Sequence, residues 1–271
     1  MMVDIERFNT VIPTSEEALR RLVFLIEQAH AVRVAVFGKY NHGKSTLLNA
    51  IIGQEVFKAA DKRETTEISE YSHEGIIWID TPGLDADVHG EDDRKARKSA
   101  FTVADFLFLV HSVKTGELDK YETKLYRDLM KQDKNYRKKM FLILTQIDQL
   151  EEADLKAVIG KIKMQFPELT IMPVSATRYT RGVLENKSIF VEKSGMNELF
   201  DLIDKLDAEI ESLRSLEKKR LIDKIKLELE EKKKAAISGL ETINFRITKY
   251  HKDFNTDLTK YINSVQSRII E

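Results

Sequence analysis

Eight residues, GKYNHGKS from Gly38 to Ser45, match the pattern G-x-x-x-x-G-K-[ST]. Residues at that spacing bind phosphate. Successive backbone N–H groups form a nest around phosphate oxygens, and the N-terminus of the following helix adds positive potential. Gly38 and Gly43 permit the turns and the close approach of backbone to ligand. Lys44 is the side chain that reaches the β- and γ-phosphates, and the Ser45 hydroxyl is a Mg²⁺ ligand. The pattern carries this meaning only between a strand and a helix. Residues 32–37 (VRVAVF) are the strand, and a helical stretch from Lys44 stops at Gly53.

Four further segments complete a nucleotide site. In IIWIDTPG, residues 76–83, an apolar strand delivers Asp80 to its C-terminal end, where ligands bind in α/β sheets. Asp80 can hold Mg²⁺ directly or through water, and the Gly83 amide can meet the γ-phosphate. In LTQIDQ, a carboxylate at Asp148 can accept two hydrogen bonds from the N1–H and N2–H₂ edge of guanine. Adenine offers no such pair. In PVSAT, Ser175 and Ala176 can offer backbone N–H to guanine O6. In KRETT, residues 62–66, a threonine can sense the γ-phosphate through Mg²⁺; Thr66 is favoured over Thr65.

The elements that must position these residues are legible from hydrophobic periodicity. Residues 14–30 have helical spacing, with Leu19, Leu22, Val23 and Ile26 on one face and Thr14 or Ser15 as N-cap. Residues 68–73 and 76–80 read as a strand pair around the turn Glu74-Gly75. Runs 106–110, 140–144 and 170–174 are buried strands, and 117–131 and 153–164 are helices. Short apolar strands alternating with helices make the fold α/β, with a mostly parallel sheet covered on both faces. Residues 178–193 read as an irregular insertion. After residue 195 there is no proline, and apolar residues recur at helical spacing through Leu240, Ile243, Ile247, Tyr250 and Phe254. That rhythm suits a helix packed on another or a short coiled coil. Gly239 is expected to break this region into two helices, closing back as a hairpin or forming a stalk. The division is then 1–31 (a helix packing with the appendage), 32–205 (the nucleotide domain) and 206–271 (a helical bundle or stalk segment). The ending SRIIE carries no stop signal, so the last helix is expected to be cut short.

Composition narrows the class. Lys and Arg (44) balance Asp and Glu (45), which gives no whole-chain case for nucleic acid or anionic membrane, and no DNA partner is expected. Clusters of Lys and Arg at 218–220 and 232–234 read as one face of a charge-alternating helix. Cysteine is absent, so there are no disulfides. The six histidines show no metal-ligand spacing. His42 is expected to point to solvent, and His89 to belong to a solvated loop. The start MMVDIERF lacks an apolar signal core, and the expected location is cytoplasmic, peripheral to a membrane at most.

The order GKYNHGKS, TT, DTPG, TQID, SA resembles the guanine-nucleotide motifs of the translation-factor-related class of P-loop GTPases, over residues 32–206. Within that class, GKYNHGKSTLLNAIIG looks like the bacterial dynamin-like proteins, with an Era- or dynamin-like GTPase domain. Thr145, at the position where most GTPases carry asparagine, leans the same way. The resemblance implies GTP and GDP as ligands and hydrolysis with Mg²⁺ held by Ser45, Thr66 and Asp80. It implies catalytic roles for Lys44, Asn41, Thr66 and Gly83. It places Tyr40, Asn41, His42 and Thr46 of the phosphate loop, with Thr145 and Gln146 of the base motif, against the nucleotide. It also implies a homodimer across the nucleotide face and membrane association through regions not evident here.

Three departures stand out. Gln146 replaces the lysine whose stem packs on guanine, which weakens affinity. Leu84 follows DTPG, where Ras-like proteins place a water-orienting glutamine, and Tyr40 stands where dynamins carry a catalytic glutamine. In relatives with asparagine at position 41, that side chain helps bind K⁺, which supplies transition-state charge; the alternative for Asn41 is an asparagine tolerated in a tight turn. Three larger roles follow: a dynamin-like assembly GTPase at membranes, an Era-like GTPase associated with ribosome or RNA, or a nucleotide-gated scaffold with little turnover.

Overall fold

In a computed structural model the described residues are 8, 10–27, 30–57, 69–81, 102–132 and 139–270. The chain divides into two compact units, Val23–Glu217 and Met1–Leu22 with Lys218–Glu271.

The unit Val23–Glu217 is built on a six-stranded sheet in the order β2-β3-β1-β4-β5-β6. Its strands are β1 (Val32–Gly38), β2 (Ser69–His73), β3 (Ile76–Asp80), β4 (Phe106–Ser112), β5 (Met140–Thr145) and β6 (Thr170–Pro173). All neighbouring pairs are parallel except β2 with β3, which are antiparallel and register Ser69 against Asp80. Glu74 and Gly75, both at positive φ (48° and 80°), make the tight turn between them.

Alternate side chains of each central strand enter opposite cores. On one face Val34, Val36, Trp78, Phe108, Val110, Phe141 and Ile143 pack with helix α2 (Lys44–Ile52) and with the start of the last helix, at Met196, Leu199, Ile203, Leu206 and Ile210. On the other, Ala35, Phe37, Leu107, Leu109, Leu142 and Leu144 pack with Tyr126 and Leu129 of helix α3 (Lys120–Gln132) and with Ile162 of helix α4 (Glu152–Gln165). Burial of both faces explains why these strands read as continuous apolar runs.

A buried ion pair joins the last helix to the sheet. Arg214 Nη2 lies 2.6 Å from Asp105 Oδ2, and Nε lies 3.3 Å from Oδ1, a two-point contact. The same guanidinium donates to the Ala31 carbonyl at 2.6 Å, and Asp105 Oδ2 also accepts the Arg33 N–H at 3.0 Å.

Three expectations fail. First, residues 178–193 are not irregular: most of them lie in helices α5 (Ala176–Leu184) and α6 (Ser188–Glu192), joined by a short turn. Gly182 makes this possible, because a Cβ there would come within 2.9 Å of Phe190 and Val191. Second, the helix α1 (Glu16–Glu27) begins after a 3₁₀ turn, Pro13–Ser15, that contains both candidate caps. Ile26 is 65% exposed, and its neighbours Phe24 and Leu25 are buried instead.

Third, Gly239 does not break the chain. Helix α7 runs from Met196 to Ile270 without interruption. A mid-helix glycine costs about 1 kcal/mol relative to alanine, and a helix of 75 residues absorbs that. The apolar row Leu240, Ile243, Ile247, Tyr250 and Phe254 is exposed throughout. In the unit Met1–Leu22 with Lys218–Glu271, the Thr14 N–H donates to Glu228 Oε1 at 3.2 Å, and Ile12 and Ser15 are buried.

Candidate functional site

The loop from Lys39 to Gly43 joins β1 to α2 at the C-terminal edge of the parallel strands. Gly38 has no room for a side chain, since a Cβ would lie 2.3 Å from the Val110 carbonyl on β4. Gly43 caps α2 at φ 84°, a left-handed conformation that disfavours any other residue. Asn41 is also left-handed, at φ 58°. Lys44, buried in the first turn of α2, donates across the loop to the carbonyls of Gly38 (3.0 Å) and Lys39 (3.1 Å). A cation is thereby held over the N-terminus of a helix, where an anion is favoured.

Asp80 ends β3 beside α2. Its Oδ2 accepts the Ser45 hydroxyl at 3.0 Å, while its buried Oδ1 has no hydrogen-bond partner. Burial raises the Asp80 pKa, and Lys44 and Ser45 only partly oppose it. A buried carboxylate oxygen without a partner, next to a hydroxyl, suits a hard divalent cation with oxygen ligands, so the pair fits Mg²⁺. Asp80→Asn removes the buried charge. It is expected to raise the melting temperature of the ligand-free protein, by about 1 kcal/mol of stability, while weakening nucleotide binding in Mg²⁺. Differential scanning fluorimetry checks both signs; a lowered melting temperature refutes the account of Asp80.

The base motif closes the other side. Thr145 Oγ1 donates to the His42 carbonyl at 2.6 Å, with the His111 carbonyl as a second acceptor at 3.3 Å. Gln146, left-handed at φ 59°, donates from Nε2 to the Asn41 carbonyl at 3.2 Å and accepts the Ser112 hydroxyl at 2.6 Å. The residue that departs from the family lysine thus braces the phosphate loop. Asp148 is half-buried. It accepts the Ser175 hydroxyl and, at 3.0 Å, Gln149 Nε2. Burial acts to raise its pKa, but these hydrogen bonds outweigh that and hold the carboxyl below its ordinary range.

Ser175 also caps α5, its hydroxyl accepting the Arg178 N–H at 3.1 Å. Its own N–H is committed to the Ser194 carbonyl at 2.7 Å. Of the two amides expected to reach guanine O6, this geometry leaves the role to Ala176, in the first turn of α5.

Two readings need correction at His42. It is 5% exposed rather than solvent-facing, because the left-handed turn at Asn41 carries it under the loop. Burial lowers its pKa to about 4. Histidines with no metal spacing along the chain also meet in space: His42, His111 and Glu122 are all buried and mutually close. Sequence reasoning did not single out Ser112, His111 or Glu122. The only signal was position, since His111 and Ser112 end the apolar strand β4 at the edge where the site lies. Tyr40, Thr46 and Asn41 lie on or next to the loop, with Asn41 exposed. Thr65, Thr66, Gly83, Leu84 and His89 lie outside the described residues, as does most of the loop 54–67 and all of 83–97.

The family profile of 50S ribosome-binding GTPases matches residues 33–146, the stretch from β1 through the base motif. The chain has the fold of a P-loop GTPase domain. Its GTPase domain is similar to GTPase Era of Alkaliphilus metalliredigens, 35% identical over 152 residues, 53% of this chain and 49% of that one. An uncharacterized protein of Acinetobacter baylyi is 36% identical over 263 residues, 97% of this chain and 63% of its own. Among solved structures, the GTPase fold resembles a chain of an oligomerised bacterial dynamin pair (TM-score 0.58, 16% identity, 98% of this chain and 52% of that one). It also resembles the LeoA bacterial dynamin GTPase from ETEC (TM-score 0.50, 16% identity, 88% and 49%). The chain therefore spans about half to two thirds of the length of these relatives. No helix among the described residues is long and apolar enough to cross a membrane.

Proposed function

We propose that the chain binds GTP with Mg²⁺ and hydrolyses it to GDP and phosphate, as a dynamin-like GTPase that dimerises across its nucleotide face or assembles at membranes. The observation that carries the reading is the Ser45–Asp80 pair with its unpartnered carboxylate oxygen beside the Lys44 cation. Phosphoryl transfer needs little from a protein beyond positioning and charge stabilisation. The loop amides and Lys44 hold the phosphates, and Asp148 selects guanine. Ser45 and Asp80 would hold Mg²⁺, with Thr66 as a third ligand; bound there, the ion neutralises phosphate charge. Gly83 meets the γ-phosphate.

Neither Tyr40 nor Leu84 supplies a glutamine to orient the attacking water. In this reading Asn41, exposed at the rim of the loop, helps hold K⁺, and a second copy covers the site. GTP turnover is expected to be at least tenfold faster in K⁺ than in Na⁺, and Asn41→Ala is expected to remove the difference. Size measurement with GDP and with a transition-state mimic completes the test, with Lys44→Ala as the inactive control. An unchanged monomer in both nucleotide states counts against the dynamin reading, and equal turnover in both cations refutes the role of Asn41. Absent turnover in either cation favours a nucleotide-gated scaffold.

The match to the 50S ribosome-binding GTPase profile and the identity to GTPase Era support a second reading, a ribosome- or RNA-associated Era-like GTPase. Co-sedimentation with anionic liposomes, against binding to ribosomal RNA, separates the two. In the first reading the protein is cytoplasmic and peripheral to a membrane.

A further inference from the structure

Beneath the phosphate loop, three buried side chains from three different segments converge. They are His42 in the loop, His111 near the end of β4 and Glu122 in the first turn of α3; His111 and Glu122 are each 1% exposed. Glu122 Oε1 lies 2.9 Å from His111 Nδ1 and 3.6 Å from His42 Nδ1. One ligand atom from each residue lies within 4.8 Å of the other two. The imidazoles meet edge to face, at 5.1 Å and 85°.

Two details distinguish this cluster from an ordinary polar core. His42 Nδ1 is buried without a hydrogen-bond partner, although it faces the carboxylate. A buried polar atom left in this way costs about 1–3 kcal/mol, so a residue on a loop that can turn outward needs a reason to stay. His111 Nε2 faces the Gly116 carbonyl at 3.0 Å. A carbonyl only accepts, so that nitrogen carries a proton, and Nδ1 is the atom turned to Glu122 and His42. An imidazole anchored through its far N–H to a backbone carbonyl is how metal-bound histidines are oriented. Glu122 is anchored similarly, its Oε2 accepting the Asp119 N–H at 3.2 Å.

We infer that His42, His111 and Glu122 form a binding site for a divalent transition metal of the Zn²⁺ type. Two nitrogen donors and one carboxylate oxygen are a borderline-soft set that suits Zn²⁺ and disfavours Mg²⁺. Donors about 2.0–2.1 Å from a tetrahedral ion lie roughly 3.3–3.4 Å apart, and the measured 2.9 and 3.6 Å bracket that spacing. The site is separate from the all-oxygen Ser45–Asp80 pair. A bound ion would lock the loop that His42 belongs to, and its charge would have the same sign as Lys44, which favours an anion above.

The test uses the full chain, stripped of metal and held in excess Mg²⁺ to fill the oxygen site. Zn²⁺ is titrated against a chromophoric chelator, and Co²⁺ is used as a visible probe of tetrahedral coordination. The expected result is one tight equivalent, with affinity at least about tenfold lower in His42→Ala and in Glu122→Gln and unchanged in Ser45→Ala. Melting curves identify any variant that fails to fold; His42→Ala, on a loop, then decides alone. No tight equivalent overturns the inference, leaving the cluster as a proton-sharing pair with a buried neighbour. So does an equivalent that both variants retain, which would place the ion on surface histidines.

Discussion

Asp148→Asn is expected to lower GTP affinity by about 10²–10³-fold and to raise affinity for xanthosine triphosphate, inverting base selectivity. The Asp148 carboxyl is held below its ordinary pKa, so at neutral pH it is an acceptor at both oxygens. Guanine presents two donors to it, N1–H and the 2-amino group. Asparagine keeps one acceptor and turns a donor toward the 2-amino group, so a charge-assisted pair becomes a repulsion. A hydrogen bond to a charged group contributes about 1.5–3 kcal/mol, and 1.4 kcal/mol is about tenfold in affinity. Xanthine carries a carbonyl in place of the amino group and accepts what asparagine donates. The variant keeps an oxygen for the Ser175 hydroxyl, which stays paired. Competition of GTP, xanthosine triphosphate and ATP against a fluorescent guanine nucleotide reads the outcome. Unchanged GTP affinity would show that Asp148 serves only as a hydrogen-bond partner for Ser175 and Gln149.

Arg214→Ala is expected to destabilise the unit Val23–Glu217 by about 3–5 kcal/mol, the cost of leaving a buried charge unpaired. Asp105 would lose its two-point contact with the guanidinium while keeping the Arg33 N–H, and the Ala31 carbonyl would lose its guanidinium donor. The pair closes the first turns of α7 over the sheet face on which α2 also packs, so its loss exposes that core. Replacing both partners, Arg214→Met with Asp105→Asn, is expected to recover most of the loss, because no unpaired charge remains. Urea unfolding followed by Trp78 fluorescence gives the comparison, since Trp78 lies in the same core. A single-variant loss under about 1 kcal/mol, in the range of a surface ion pair, would mean the clamp is not held as described.

The parallel sheet was legible because its strands are buried on both faces. Runs such as FLFLV and MFLIL need no partner information to be read as strands. The hairpin of β2 and β3 was legible because Glu74-Gly75 supplies the left-handed residues a tight turn requires. The segment after β6 reads as irregular in sequence because its helices are short and polar. Tertiary packing around Gly182 overrode that weak local pattern. Gly239 was read as a break because local propensity was weighed without the cooperativity of the long helix around it.

Sequence alone determined the phosphate loop, Asp80 and Asp148. Each sits at or within a few residues of a strand's C-terminal end, and a parallel sheet brings those ends to one edge whatever the loops between them do. The expectation of guanine is also read there, and it rests on one carboxylate. The tertiary structure decided what depends on residues far apart in sequence: the brace of Gln146 on the loop, the Arg214–Asp105 clamp and the burial of His42 against His111 and Glu122. Hydrogen bonds and charge pairs follow distance in space, and periodicity along a chain records only which face of its own element a residue occupies.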